Sequence, residues 1–276
     1  MQTYPVILTI AGSDSGGGAG IQADLKTISA LGAYGASAIT AITVQNTLGV
    51  RAIHSIPYDI LEGQIDAVMS DLDVKAVKVG MINHPEVATI IAGAIQKYKP
   101  LHVVIDPVMV ATSGDILIQE HAIEQMKTKL FPLADVITPN LNETSILLNK
   151  MITNQDEMED AARSLTFLGC KAALVKGGHL QQGEMTDVLW VKEEDKAYYF
   201  SAPKIQTNNL HGTGCSLSSA IATFLAFGYT IPQSVERAKE YITQAIKAGK
   251  EVKIGQGNGP VNHFFNPQKM NINESK

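Results

Sequence analysis

Residues 6–20 read VILTIAGSDSGGGAG, a β-branched run that breaks into a glycine-rich turn. At 21–31 apolar residues recur every three or four positions, the period of an amphipathic helix, and at 36–44 (ASAITAITV) a second β-branched run begins. Strand, loop, helix and strand make a βαβ unit. The rhythm continues outward: runs at 76–79, 102–105, 135–137 and 172–175 read as buried strands, and 58–69, 85–98, 118–130 and 158–168 carry the helical period. Strands buried on both faces read as continuous apolar runs, so the pattern predicts an α/β fold with a mainly parallel central sheet and helices on both faces. Two later segments depart from it. Residues 187–191 and 198–202 flank the polar turn Lys192-Glu193-Glu194-Asp195-Lys196 and predict a short β-hairpin. From Cys215 onward Leu217, Ala220, Ile221, Phe224 and Leu225 mark a helix ended by Gly228, and 231–248 predicts another.

With 276 residues, 45% hydrophobic and 18% charged, the chain can bury a sizeable core, and one domain over 1–270 with a frayed tail at 271–276 is expected. A net charge of -5 with lysines scattered along the chain provides no basic footprint, which excludes nucleic acid as a partner. The N-terminus has no basic region and only six apolar-leaning residues before the glycine turn, so neither a signal peptide nor a membrane span is expected. Cys170 and Cys215 belong to no CxxC pair or zinc-spaced cluster, which fits a reducing cytoplasm.

In open parallel sheets ligands bind beyond the carboxyl ends of the strands, and here those ends are rich in polar residues. The first glycine loop, residues 12–20, fails three phosphate or nucleophile patterns. It places Ile21 where a dinucleotide fingerprint needs Gly or Ala, and Asp14 where a nucleophile elbow needs serine; Gly249-Lys250-Glu251 supplies no P-loop either. Gly212-Thr213-Gly214-Cys215 opens a helix, where glycines admit close backbone approach and free N–H groups with the helix dipole attract an anion. That is a phosphate cradle. Cys215, at the positive end, is expected to have a lowered thiol pKa and to take a proton from an attacking hydroxyl; the same segment equally suits a buried structural cysteine. Lys176-Gly177-Gly178 adds a cation beside approachable backbone, as phosphoryl transfer requires. Asp106, Asn140 and Glu143 offer oxygen ligands suited to Mg²⁺, although each also suits a helix cap or turn.

The quoted elements, together with Gly17-Gly18-Ala19-Gly20-Ile21-Gln22-Ala23-Asp24, Thr43-Val44-Gln45-Asn46-Thr47, Asp106-Pro107-Val108-Met109, Lys176-Gly177-Gly178-His179 and Gly257-Asn258-Gly259-Pro260-Val261-Asn262-His263, resemble the hydroxymethylpyrimidine/phosphomethylpyrimidine kinases of the ribokinase-like superfamily nearly end to end. The resemblance implies ATP- and Mg²⁺-dependent phosphorylation of 4-amino-5-hydroxymethyl-2-methylpyrimidine and then of its monophosphate, in thiamine biosynthesis. It also implies a homodimer. By position, Gln45 would hydrogen-bond the aminopyrimidine edge, while Asp24, Met81 and Val108, with Gly12 and Gly18, would line the substrate pocket. Cys215 would face the hydroxymethyl group as base, with Gly212, Thr213 and Gly214 as anion hole. Asn140, Lys176, Gly177, Thr213 and Gly214 would meet the nucleotide, and Glu143 and Asp106 the metal. Cysteine in the base position is shared with one class of pyridoxal kinases, so Gln45, whose amide can both donate and accept, carries the choice of substrate.

Overall fold

The computed structural model describes residues 2–109, 120–177 and 184–274. In chain order the elements are β1 (Gln2–Thr3), β2 (Val6–Asp14), α1 (Gly20–Ala30), β3 (Tyr34–Asn46), β4 (Gly49–Ser55), α2 (Tyr58–Asp71), β5 (Val74–Val79), α3 (Pro85–Tyr98) and β6 (His102–Ile105). They continue with α4 (Glu120–Gln125), prolonged by a π-turn at Met126–Leu130, then β7 (Val136–Ile137), α5 (Leu141–Leu148), α6 (Gln155–Leu165), β8 (Ala172–Val175), β9 (Glu184–Val191) and β10 (Lys196–Pro203). Helices α7 (Thr213–Ala226) and α8 (Ile231–Gly249) and strand β11 (Asn273–Glu274) complete the chain.

The main sheet has nine strands in the order β10-β9-β8-β7-β6-β5-β2-β3-β4. The stretch from β8 to β3 is parallel throughout, as the βαβ rhythm predicts. The hairpin of β9 and β10 extends it antiparallel on one edge, and β4 folds back on β3 at the other. Strand alternation sorts side chains into two cores. Leu8, Ile10, Val77, Val79, Val103 and Ile105 pack with α2, α3 and α6 on one face. Ile7, Ala76, Val104 and Val136 pack with α1, α7 and α8 on the other. This period of two places Thr9 and Lys78, each two residues on from Ile7 and Ala76, on the α1–α7 face.

Several expectations change. The first strand runs on to Asp14, with an irregular register between Ala11 and Ser13, so Gly12, Ser13 and Asp14 belong to the sheet rather than the turn. Strand β4 is unforeseen because its residues 51–54 are exposed and carry no apolar alternation. Helix α5 is unforeseen too. Its start signal is the capping box, in which Asn140 Oδ1 accepts from the Glu143 N–H at 2.9 Å and Glu143 Oε2 accepts from the Asn140 N–H at 2.8 Å. The tail does not fray at once: Thr3 pairs with Asn273 and Gln2 with Glu274, which satisfies backbone groups that a free end would leave to water. Residues 275 and 276, the start of the 118–130 helix, and Gly178 and His179 of the lysine motif lie outside the described residues.

Candidate active site

Helix α7 begins at Gly212, whose φ of +81° lies in the left-handed region and whose added Cβ would fall 1.8 Å from the Gly18 carbonyl oxygen. Only glycine fits both the angle and the contact. The two glycine loops, almost two hundred residues apart, therefore touch. A backbone hydrogen bond from Gly20 reaches Cys215, and a Cβ on Gly18 would strike the His211 ring at 2.3 Å. In the first turn of α7 the Thr213 N–H is taken by the Leu210 carbonyl and that of Ser216 by Gly212, while those of Gly214 and Cys215 have no acceptor among the described residues. These free donors at a helix N-terminus suit an anion.

Lys176 brings a cation to the same place. A Cβ at Gly214 would lie 3.4 Å from Lys176 Nζ and 3.5 Å from Asp106 Oδ2, so a side chain here would crowd the ion pair. Lys176 Nζ stands 2.8 Å from Asp106 Oδ1, and Thr138 Oγ1 donates to the same oxygen at 3.0 Å. Burial pushes the Asp106 carboxyl up, yet Lys176 and then Lys78 pull it below the usual carboxylate range. Burial also drives Glu143 up to about 7, against the pull of Lys176. Its oxygens accept from the Asn140 N–H and, at 3.3 Å, from the Met109 N–H.

Cys215 corrects one expectation. Burial pushes its thiol up to about 11, with Lys78 opposing and Asp24 and Asp106 adding to the rise. The dipole of α7 does not offset that desolvation, so the shift runs upward rather than downward even though the side chain is only half-buried. Asp24 corrects another. It is fully buried and its carboxylate accepts from Thr9 Oγ1 at 2.6 Å, from Ser219 Oγ at 2.7 Å and from Lys78 Nζ at 2.9 Å to each oxygen. Sealed in this way, it lines no pocket. Gly177 is the third: its N–H donates to Asp187 Oδ1 at 2.9 Å and a Cβ would sit 1.9 Å from the Thr186 carbonyl, so tight packing requires this glycine and its N–H is committed.

Of the residues that the resemblance assigns to the substrate, Gly12 adjoins Met81, and Gly18 and Gln45 adjoin His211. Gly12 faces Met81, whose Cε a Cβ would meet at 2.8 Å, and half-buried Val108 follows Asp106 in the β6 loop. Gln45, next to last in β3, has its amide nitrogen 3.4 Å from His211 Nε2, and its amide oxygen accepts from Thr43 Oγ1 at 3.0 Å. His211 Nε2 also stands 2.8 Å from Asp14 Oδ2. The Asp14 carboxylate accepts from the N–H groups of Gly16, Gly18 and Ala19, so the first glycine loop is saturated by its own aspartate. The loop at 254–261 joins this side: the N–H groups of Gln256 and Gly257 donate to Thr47 Oγ1, that of Asn258 to the Thr47 carbonyl, and His211 donates its N–H to Gly259.

The sequence puts Lys78 among the polar residues at the strand ends without giving it a role, and the structure leaves this lysine no exposure at all. The signal was available, since a charge inside the apolar run 76–79 contradicts the run unless it is paired.

Comparison with known proteins identifies the family and the fold. A family model described as phosphomethylpyrimidine kinase matches residues 14–262. This chain belongs to that family. The hydroxymethylpyrimidine/phosphomethylpyrimidine kinase of Rhizobium meliloti is 50% identical over 260 residues, covering 94% of this chain and 97% of the relative. Among solved structures, the phosphomethylpyrimidine kinase of Clostridium difficile 630 is 45% identical, with a TM-score of 0.78 over 88% of this chain and 99% of that one. A pyridoxal kinase of Bacillus subtilis, solved as an ADP complex, is 35% identical with a TM-score of 0.87, over 95% and 98% of the two chains. Membership in the phosphomethylpyrimidine kinase family thus comes with the ribokinase-like architecture seen in the sheet.

Proposed function

We propose that this phosphomethylpyrimidine kinase family member transfers the γ-phosphoryl group of ATP to the hydroxymethyl oxygen of 4-amino-5-hydroxymethyl-2-methylpyrimidine, and then a second phosphoryl group to the monophosphate. The observation that carries the reading is the convergence of free N–H groups at Gly214 and Cys215 with the Lys176–Asp106 pair at one helix start. Phosphoryl transfer passes through a loose transition state with charge spread over the equatorial oxygens, so positioning and neutralisation do most of the catalysis. Lys176, with its side chain 15% exposed, meets that charge from one side and the first turn of α7 from the other. Gly212 and Gly214, on either side of Thr213, keep Cβ bulk off the phosphate path.

The attacking hydroxyl gives up its proton as the new P–O bond forms, and Cys215 at the helix start accepts it as a thiolate, having first released its own proton to solvent from the half-buried site. Gln45 and its neighbour His211 supply paired donor and acceptor positions for an aminopyrimidine edge, with Met81, Val108, Gly12 and Gly18 shaping the apolar wall. Asn140 and Thr213 would meet the nucleotide in this reading. The hard oxygens of Asp106 and Glu143 fit Mg²⁺, because Lys176 between them marks a place where these two buried carboxylates already favour positive charge. Those residues would hold the ion, which supplies neutralisation of ATP phosphates.

A second copy of the chain as partner and a cytoplasmic location belong to the same reading. No described helix is long and apolar enough to cross a membrane, and Ile42, Val44 and Leu48 form an exposed apolar strip along β3 and its turn.

A coupled assay tests the activity. ATP turnover should rise well above background with the hydroxymethylpyrimidine, and kcat/KM for it should exceed that for pyridoxal; no rise, or the reverse preference, overturns the reading.

A further inference from the structure

Beneath Cys215 lies a charge network that no step above uses. Asp24 on α1 is bonded by Thr9 of β2, Lys78 of β5 and Ser219 of α7, and all four side chains are fully buried. Ser219 follows Cys215 by four residues, so the two stack on one face of α7, one turn apart. Through Ser219 the network is therefore fixed to the same helical face as the thiol. Lys78 has no route to solvent and no room to retreat: a Cβ at Gly80 would lie 2.9 Å from its Nζ and 2.8 Å from Ala11 Cβ. Burying a lysine costs several kcal/mol unless its charge is compensated, and here Asp24 receives it with 2.9 Å contacts to both oxygens. A leucine or methionine would pack more cheaply.

We infer that Lys78 is a positioning residue for the reaction: anchored by Asp24, Thr9 and Ser219, it holds a fixed positive charge under Cys215 and so sets how readily that sulfur carries negative charge. The inference rests on the reading of Cys215 as proton acceptor only for its catalytic meaning. The groups acting on the sulfur are Lys78 from β5, which favours the thiolate, Asp24 from α1 and Asp106 from the β6 loop, which oppose it, and the Gly20 backbone hydrogen bond and Lys176 beyond β8, which favour it. Burial opposes it most strongly, so losing Lys78 while the site stays dry leaves the thiol harder to ionise. Loosening the core has the opposite sign, because admitted water eases ionisation. Charge and packing roles are thus separable.

The experiment is the pH dependence of Cys215 alkylation by iodoacetamide, without nucleotide, in a Cys170→Ala background. In the parent the rate should climb about tenfold per pH unit toward its plateau near 11. Lys78→Met should alkylate about tenfold more slowly at any pH below that plateau, corresponding to about one pH unit. Should that variant fail to fold, the charge-neutral pair Lys78→Met with Asp24→Asn takes its place, with a smaller slowing of about threefold, since Lys78 outweighs Asp24 at the sulfur. An unchanged or faster rate in the folded variant overturns the inference. Turnover by Cys215→Ala is scored separately: normal turnover would remove Cys215 as base while leaving the charge relation between Lys78 and the sulfur intact.

Discussion

Two lysine–aspartate pairs flank the start of helix α7, and they differ in one respect that divides their work. Lys78–Asp24 is sealed, with neither side chain exposed at all, whereas in Lys176–Asp106 the lysine keeps 15% exposure and the aspartate 2%. Contact distances are nearly the same, 2.9 and 2.8 Å. Both oxygens of the sealed carboxylate are spent on protein: Thr9 and Ser219 donate to one each, and Lys78 reaches both. The other pair borders Gly214, whose missing side chain leaves its lysine reachable. A sealed charge can only polarise its neighbours, while a reachable one can meet a ligand.

The largest effect separating them is on stability. Lys78→Met leaves Asp24 buried without its partner and should cost about 3–5 kcal/mol, read as a lower midpoint in urea unfolding. A loss below about 1 kcal/mol would show that the pair is not sealed. Lys176→Met should act on catalysis instead, lowering kcat by roughly 10²–10³ as removal of a preorganised charge stabiliser does. A fall in KM alone would break the contrast. Smaller again is Gln45→Leu, which should reduce kcat/KM for the hydroxymethylpyrimidine by about ten- to a hundredfold, roughly 1–3 kcal/mol, while pyridoxal loses less. Equal losses for both substrates would remove Gln45 from the choice between them.

The sequence shows one of these pairs far more readily than the other. Lys176 precedes glycines at a strand end, and Asp106 stands at another strand end, so both advertise a ligand edge. Lys78 and Asp24 lie inside a strand and a helix, and the partnership forms only when β2, β5, α1 and α7 converge on one face of the sheet. Strand alternation could assign Lys78 to a face, but no local pattern names its partner. The parallel order of the sheet was legible because buried parallel strands read as apolar runs. Strand β4 was not, since its exposed middle residues carry no such run. At the site the glycine loop of α7 is legible as a helix start, yet the pull of that helix start on Cys215 is outweighed by desolvation. Sequence shows a helix start, whereas the depth of burial that pushes the thiol up to about 11 is a property of the packed fold. Asn140 and Glu143 illustrate a different ambiguity: the spacing that suggests ligands is also that of the capping box they form.

The division of labour between the pairs is tested most directly by nucleotide affinity. A non-hydrolysable ATP analogue should be titrated calorimetrically into Lys176→Met and into the charge-neutral double variant Lys78→Met with Asp24→Asn. Loss of the reachable lysine should weaken binding at least about tenfold, or 1.4 kcal/mol, while loss of the sealed pair leaves it within about twofold of the parent. Equal weakening in both variants, or none in Lys176→Met, would contradict the account.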